Sequence, residues 1–124
     1  MFLVLIHYIK PLEEVLRLRP RHRDFLHEHY REPISRADVA NHLSVNEQYL
    51  SRAFNKEIGI GPMAYLSRYR IQQAKRLLEM GTMSITQVAL EVGLSSQSYF
   101  SRIFQQETGL TPSAYQRGER PPGN

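Results

Sequence analysis

The chain of 124 residues contains no cysteine. Disulfides, thiolate zinc sites and thiol catalysis are therefore excluded, which fits a reducing compartment. Long apolar runs are missing too. The opening stretch Phe2-Leu3-Val4-Leu5-Ile6 through Ile9 falls far short of the roughly twenty residues that cross a bilayer. It lacks the charged n-region and small-residue cleavage site of a secretory signal, so the chain is expected to be soluble and cytoplasmic. The length leaves room for one ordinary domain, or two very small ones sharing a core, and argues against a large enzyme with an enclosed site. What is present is a globular hydrophobic fraction of 41% and a net charge of +4 with a pI near 9.6, a surplus that favours anionic partners.

One segment occurs twice. Residues 49–65, Tyr-Leu-Ser-Arg-Ala-Phe-Asn-Lys-Glu-Ile-Gly-Ile-Gly-Pro-Met-Ala-Tyr, return fifty positions later as Tyr-Phe-Ser-Arg-Ile-Phe-Gln-Gln-Glu-Thr-Gly-Leu-Thr-Pro-Ser-Ala-Tyr at 99–115. Self-similarity at a fixed period signals repeated supersecondary units.

Gly and Pro cut the chain into short segments whose apolar residues recur at helical spacing rather than alternating, so the class is all-α. Pro11 can open a short helix through Leu18, Pro20 breaks it, and residues 21–30 carry Phe25, Leu26 and Tyr30 on one face before Pro33. The first repeat begins at Ser35, a good N-cap, with Ala37, Val39, Ala40 and Leu43 as its apolar stripe. The second begins at Ser84, where Ser84-Ile-Thr-Gln87 forms a capping box and Ile85, Val88, Ala89 and Val92 repeat the stripe. Here the offset between copies is 49, so one residue is inserted before the next helix. A turn of three or four residues is predicted within each pair, with Gly93 supplying a permissive backbone and Ser44 standing at that place in the first copy. Between the copies, Pro62 to Glu79 reads as one unbroken helix with Leu66, Tyr69, Ile71, Ala74, Leu77 and Leu78 on its apolar face. Its roughly seventeen residues span about 25 Å, and Gly81 follows as a cap.

The second helix of each pair carries the chemistry. From about Asn46 to Glu57, Leu50, Ala53 and Phe54 face a core, leaving Gln48, Ser51, Arg52 and Asn55 as one stripe without an acid. In the second copy Phe100, Ile103 and Phe104 are inward, leaving Ser98, Ser101, Arg102 and Gln105. Arginine among neutral hydrogen-bonding side chains suits a DNA major groove, which shows base-specific donors and acceptors: arginine pairs with guanine, glutamine or asparagine with adenine, serine with either. A single such stripe reads as ordinary polar surface. Its recurrence on the second helix of two helix-turn-helix units favours base readout.

The segments Pro62-Met-Ala-Tyr-Leu, Arg70-Ile, Ala74, Leu77-Leu78, Ile85, Val88-Ala89, Val92-Gly93-Leu94, Tyr99-Phe-Ser-Arg102, Phe104, Gly109 and Pro112 closely resemble the DNA-binding domain of the AraC/XylS family of transcription regulators. The resemblance covers roughly residues 21–118. It implies an all-α, homeodomain-like fold of about seven helices: a first helix-turn-helix at about 36–58, a linker helix at about 62–79 and a second helix-turn-helix at about 85–108. Both recognition helices would enter successive major-groove segments on one side of the duplex. The family's base-facing positions fall on Gln48, Ser51 and Arg52, then on Gln97, Ser98, Ser101 and Arg102. Arg36, Asn46, Asn55, Lys56, Ser84, Ser96 and Gln105 are the expected backbone or secondary contacts. Leu94 stands where the family commonly has Phe, and Ser96 where it often has Asp; both keep the core or capping role. Glu47 complements the helix dipole but could repel phosphate, and is left outside the contact set.

Other motifs favour structural roles. His22, His27 and His29 are spaced five and two apart, which places no ligand set on one helical face. Glu57 and Glu107 sit in separate copies and suggest packing or pairing with arginines rather than an acid/base dyad. Tyr65 and Tyr115 read as core aromatics. No catalytic residue, metal or cofactor is expected. The expected partners are double-stranded DNA and RNA polymerase, in a nucleoid-associated location. Residues 1–20 form an apolar segment and short helix for which two readings stand: Phe2 to Ile9 pack on the core, or they meet a second copy or an effector domain. Residues 119–124 read as a disordered tail. The competing class is a protein-interaction scaffold with this fold that reads no DNA.

Overall fold

The computed structural model describes residues 24–120. The N-terminal segment 1–20 (where a helix is expected from Pro11 to Leu18), His22 and the tail residues 121–124 lie outside the described residues. Within them all regular structure is helical, in seven helices. Helix α1 covers residues 24–29. It is followed by α2 (Arg36–His42), α3 (Glu47–Ile58), α4 (Pro62–Met80), α5 (Ile85–Glu91), α6 (Gln97–Thr108) and α7 (Pro112–Gln116). They fall into two compact units, one holding residues 24–28 and 34–64 and the other residues 29–33 and 65–120.

In the first unit α2 packs on α3. Phe25, Leu26, Val39, Ala40, Leu50, Ala53 and Phe54 are buried, and the Phe25 and His42 rings stack with centroids 4.1 Å apart. Each fully buried aliphatic or aromatic side chain contributes about 1.5–3 kcal/mol, enough to hold helices as short as α2 that would not persist alone.

In the second unit Ile71, Ala74 and Leu78 of α4 meet Val88, Ala89, Val92, Leu94, Phe100, Ile103 and Phe104, with Tyr30, Leu77 and Tyr115 against them. The Tyr115 ring sits edge-on to Phe104 and its hydroxyl donates to the Glu79 carboxylate. Burial, and then that bond, push the Tyr115 phenol above its ordinary pKa. The sequence reading did not anticipate Arg70, which is buried in the same unit. Its Nε donates to the Tyr30 carbonyl at 2.9 Å and its Nη2 to the Glu32 carbonyl at 2.8 Å. Desolvation lowers the guanidinium pKa, a cost that the two charge-assisted bonds offset.

The turn chemistry is local. Ser44 is the one described non-glycine residue with positive φ, at 58°, and Gly93 has φ 89°, so the two copies make the same left-handed bend at corresponding places. The inserted residue lies after that bend: four residues separate α2 from α3, but five, Val92 to Ser96, separate α5 from α6. The first turn has the expected length, and the second exceeds the expected three or four by one. A hydrogen bond from the Leu94 N–H to the Ala89 carbonyl matches one from the Val45 N–H to Ala40, so the tight part of the turn is conserved and the extra residue is absorbed just before the cap. Helix α4 runs unbroken for 19 residues and ends at Gly81, φ 71°.

Candidate nucleic-acid interface

In the first unit, Ser35 caps α2 through a reciprocal box with Asp38, and the Asn46 side chain caps α3 by accepting from the Tyr49 N–H at 2.7 Å. Gly59, with φ 92°, closes α3. These caps, with Leu50, Ala53 and Phe54 buried beneath, fix the rotation of α3 about its axis. Gln48, Arg52, Asn55 and Lys56 are consequently exposed and Ser51 is half-buried. The Asn55 amide donates to the Ser51 carbonyl at 2.8 Å.

Arg36, on the first turn of α2, reaches across to α3. Its Nε donates to Glu47 Oε1 at 3.1 Å and its Nη1 to Ser51 Oγ at 3.3 Å. Glu47 thus meets a cation within its own unit, so the carboxylate that raised the question of phosphate repulsion is compensated locally.

The second unit repeats the construction with neutral groups. Ser84 caps α5 through its box with Gln87, Ser96 caps α6 by accepting from the Tyr99 N–H, and Gly109 closes α6 at φ 80°. Phe100, Ile103 and Phe104 are buried; Gln97, Ser98, Arg102 and Gln105 are exposed, and Ser101 is half-buried. The outward stripes of the two helices therefore share one exposure pattern, position by position. The Thr86 hydroxyl donates to the side-chain carbonyl of the exposed Gln97, a bond that does not use the Gln97 amide N–H groups. The Arg102 guanidinium lies over the exposed Tyr99 ring, 5.3 Å from its centroid, a contact that restricts the long side chain. No acid occupies the first turn of α6.

Asn46, Ser84 and Ser96 spend an oxygen on their own helices, so what they still offer a partner is the Asn46 amide N–H groups and the hydroxyl protons of the two serines. Glu107 lies 3.7 Å from Arg68, an ion pair of the kind expected for it. Among the described residues no three His, Cys, Asp or Glu side chains gather in a metal-binding group, and no helix is long and apolar enough to cross a membrane. Sequence reasoning missed the Arg36–Glu47 and Thr86–Gln97 contacts. Both join residues eleven apart on different helices, and they come from non-equivalent positions of α2 and α5, so neither local spacing nor the repeat pointed to them.

Residues 39–118 match the family model of a helix-turn-helix domain. A solved Chromobacterium violaceum transcriptional regulator, of the group containing AraC-type DNA-binding domains, superposes with TM-score 0.71 at 26% identity, covering 94% of this chain and 98% of that one. The chain belongs to the AraC-type helix-turn-helix family. The AraC-type domain is also similar to the DNA-binding domain of AdpA, a global transcriptional factor solved in complex with a target DNA, with TM-score 0.74 and 28% identity over 87% of this chain and 91% of that one. By sequence it is 40% identical over 76 residues to the HTH-type transcriptional regulator YbfI of Bacillus subtilis, covering 61% of this chain. It spans 27% of the length of that relative.

Proposed function

We propose that this AraC-type domain is a sequence-specific double-stranded-DNA-binding transcription regulator without catalytic activity. The observation that carries this reading is the pair of recognition-helix stripes, each an arginine with a half-buried serine and exposed amides or hydroxyls, at the same exposure on both copies. In the proposed complex α3 and α6 enter successive major-groove segments. Gln48, Ser51 and Arg52 of one, and Gln97, Ser98, Ser101 and Arg102 of the other, meet base edges. Asn46, Asn55, Lys56, Ser84, Ser96 and Gln105, with the helix N-termini, position the protein on phosphates. The AdpA domain, solved with its target DNA, supports this arrangement by likeness.

RNA polymerase is the further partner that this reading proposes for a domain acting as an activator, and the cytoplasm with its nucleoid is where both would be met. For the apolar residues Phe2–Ile9 both readings stand: packing on the domain's own core, or joining the domain to a second copy or an effector domain.

Selection of bound duplexes from a randomised pool tests the reading. A defined two-part site is expected. Failure to shift any duplex at low salt would instead favour the interaction-scaffold class.

A further inference from the structure

We propose that Arg36 is a positioning residue which orients the Ser51 hydroxyl as a hydrogen-bond donor, so that the first recognition helix selects an acceptor base edge where Ser51 meets DNA. The inference rests on the DNA-binding reading above and adds to it the chemistry of one base position. Arg36 binds two groups of α3 at once, Glu47 through Nε and Ser51 through Nη1. The planar fork of a guanidinium permits this because its donors are fixed relative to one another. The Glu47 carboxylate holds the plane, and the plane directs Nη1 at the serine oxygen.

A hydroxyl has one proton and two lone pairs. With one lone pair accepting from a cation, the hydroxyl is polarised: it becomes a better donor, and its remaining lone pair a poorer acceptor. In the major groove guanine offers O6 and N7, adenine N7 and thymine O4 as acceptors, whereas cytosine offers only its amino donor. A serine biased toward donating therefore favours guanine, adenine or thymine over cytosine. A serine free to rotate bonds with any of the four.

The second copy lacks the device. The residue corresponding to Arg36 at the start of α5 is Ile85, and the bond between the two helices is the neutral one from Thr86 to Gln97. Ser101 has no cation on its oxygen of the kind Ser51 has, so its hydroxyl remains a rotor. The two half-sites are thus read with different strictness at equivalent serines.

The test is selection from a randomised duplex pool, with affinities measured on the selected site and its single-base variants, for the native chain and for Ser51→Ala, Arg36→Met and Arg36→Lys. Ser51→Ala identifies the base position. The native chain is expected to disfavour cytosine there by about five- to tenfold, the worth of one hydrogen bond. Arg36→Met and Arg36→Lys are both expected to reduce that preference to about twofold or less, by the freed rotation of the hydroxyl, while preferences at the position that Ser101→Ala identifies stay unchanged. Lysine keeps the charge and lacks the fork, so its failure to rescue is the signature of positioning. If Arg36→Met weakens every duplex alike and Arg36→Lys restores binding, Arg36 contacts phosphate and the proposal is overturned. An unaltered cytosine preference in both Arg36 variants overturns it as well. A native chain that binds no duplex overturns the DNA-binding reading itself. Arg36 is about half-exposed, and far-UV circular dichroism of each variant verifies that the fold is kept.

Discussion

At the scale of single residues, the two arginines and the two bend positions lend themselves to measurement. Arg52→Ala or Arg102→Ala is expected to cost about 1–3 kcal/mol of binding and to relax preference at one base position, read by competition against single-base variants. Equal weakening on all sequences would assign that arginine to phosphate. Gly93 combines positive φ with crowding: a Cβ there would lie 2.3 Å from the Tyr30 carbonyl oxygen and 3.1 Å from the Arg31 carbonyl carbon. Gly93→Ala should therefore destabilise the second unit by about 2–4 kcal/mol in chemical denaturation, through left-handed strain and overpacking together. Ser44 occupies the same bend at φ 58°, so Ser44→Gly should stabilise the first unit by up to about 1 kcal/mol. The bend was legible in the sequence because glycine at one copy marks what serine does at the other. The backbone that crowds Gly93 was not, since it comes from a segment some sixty residues earlier.

At the scale of elements, helix boundaries followed from caps that act over three or four residues. Ser84→Ala removes the half of its capping box in which the Ser84 hydroxyl oxygen accepts from the Gln87 N–H and should lower thermal stability by about 1 kcal/mol, whereas an unchanged melting temperature would mean that packing alone sets the start of α5. Arg70 belongs to a different class of interaction. Its bonds span forty and thirty-eight residues, and helical periodicity gave no sign of them, because a charged residue beside an apolar stripe normally reads as surface. Replacing it by Met strands the Tyr30 and Glu32 carbonyls, an expected loss of about 1–3 kcal/mol for each one left without water or another partner. Urea unfolding of Arg70→Met measures it, and a variant as stable as the native chain would show that water takes over both carbonyls. The longer second turn is a smaller case of the same kind: the insertion was countable from the repeat offset, but where it would be absorbed depended on which backbone bonds the turn keeps.

For the whole molecule, the net charge of +4 is modest, and binding should nevertheless be salt-sensitive because it is the local charges near phosphate that release counterions. On duplex DNA the logarithm of the binding constant should fall with the logarithm of salt by about 0.9 for each phosphate neutralised; binding flat in salt would count against phosphate positioning. The sequence by itself determined the helical class, the duplicated plan, most caps and the identity of the outward stripes, because each depends on periods and contacts a few residues long, and the duplication supplied every one of them twice. Only the tertiary structure decided which polar groups are already engaged: Arg36 on Glu47 and Ser51, Thr86 on Gln97, and Arg70 on two buried carbonyls. Those pairings depend on where separate helices come to rest against each other, a matter of core packing that no local spacing encodes.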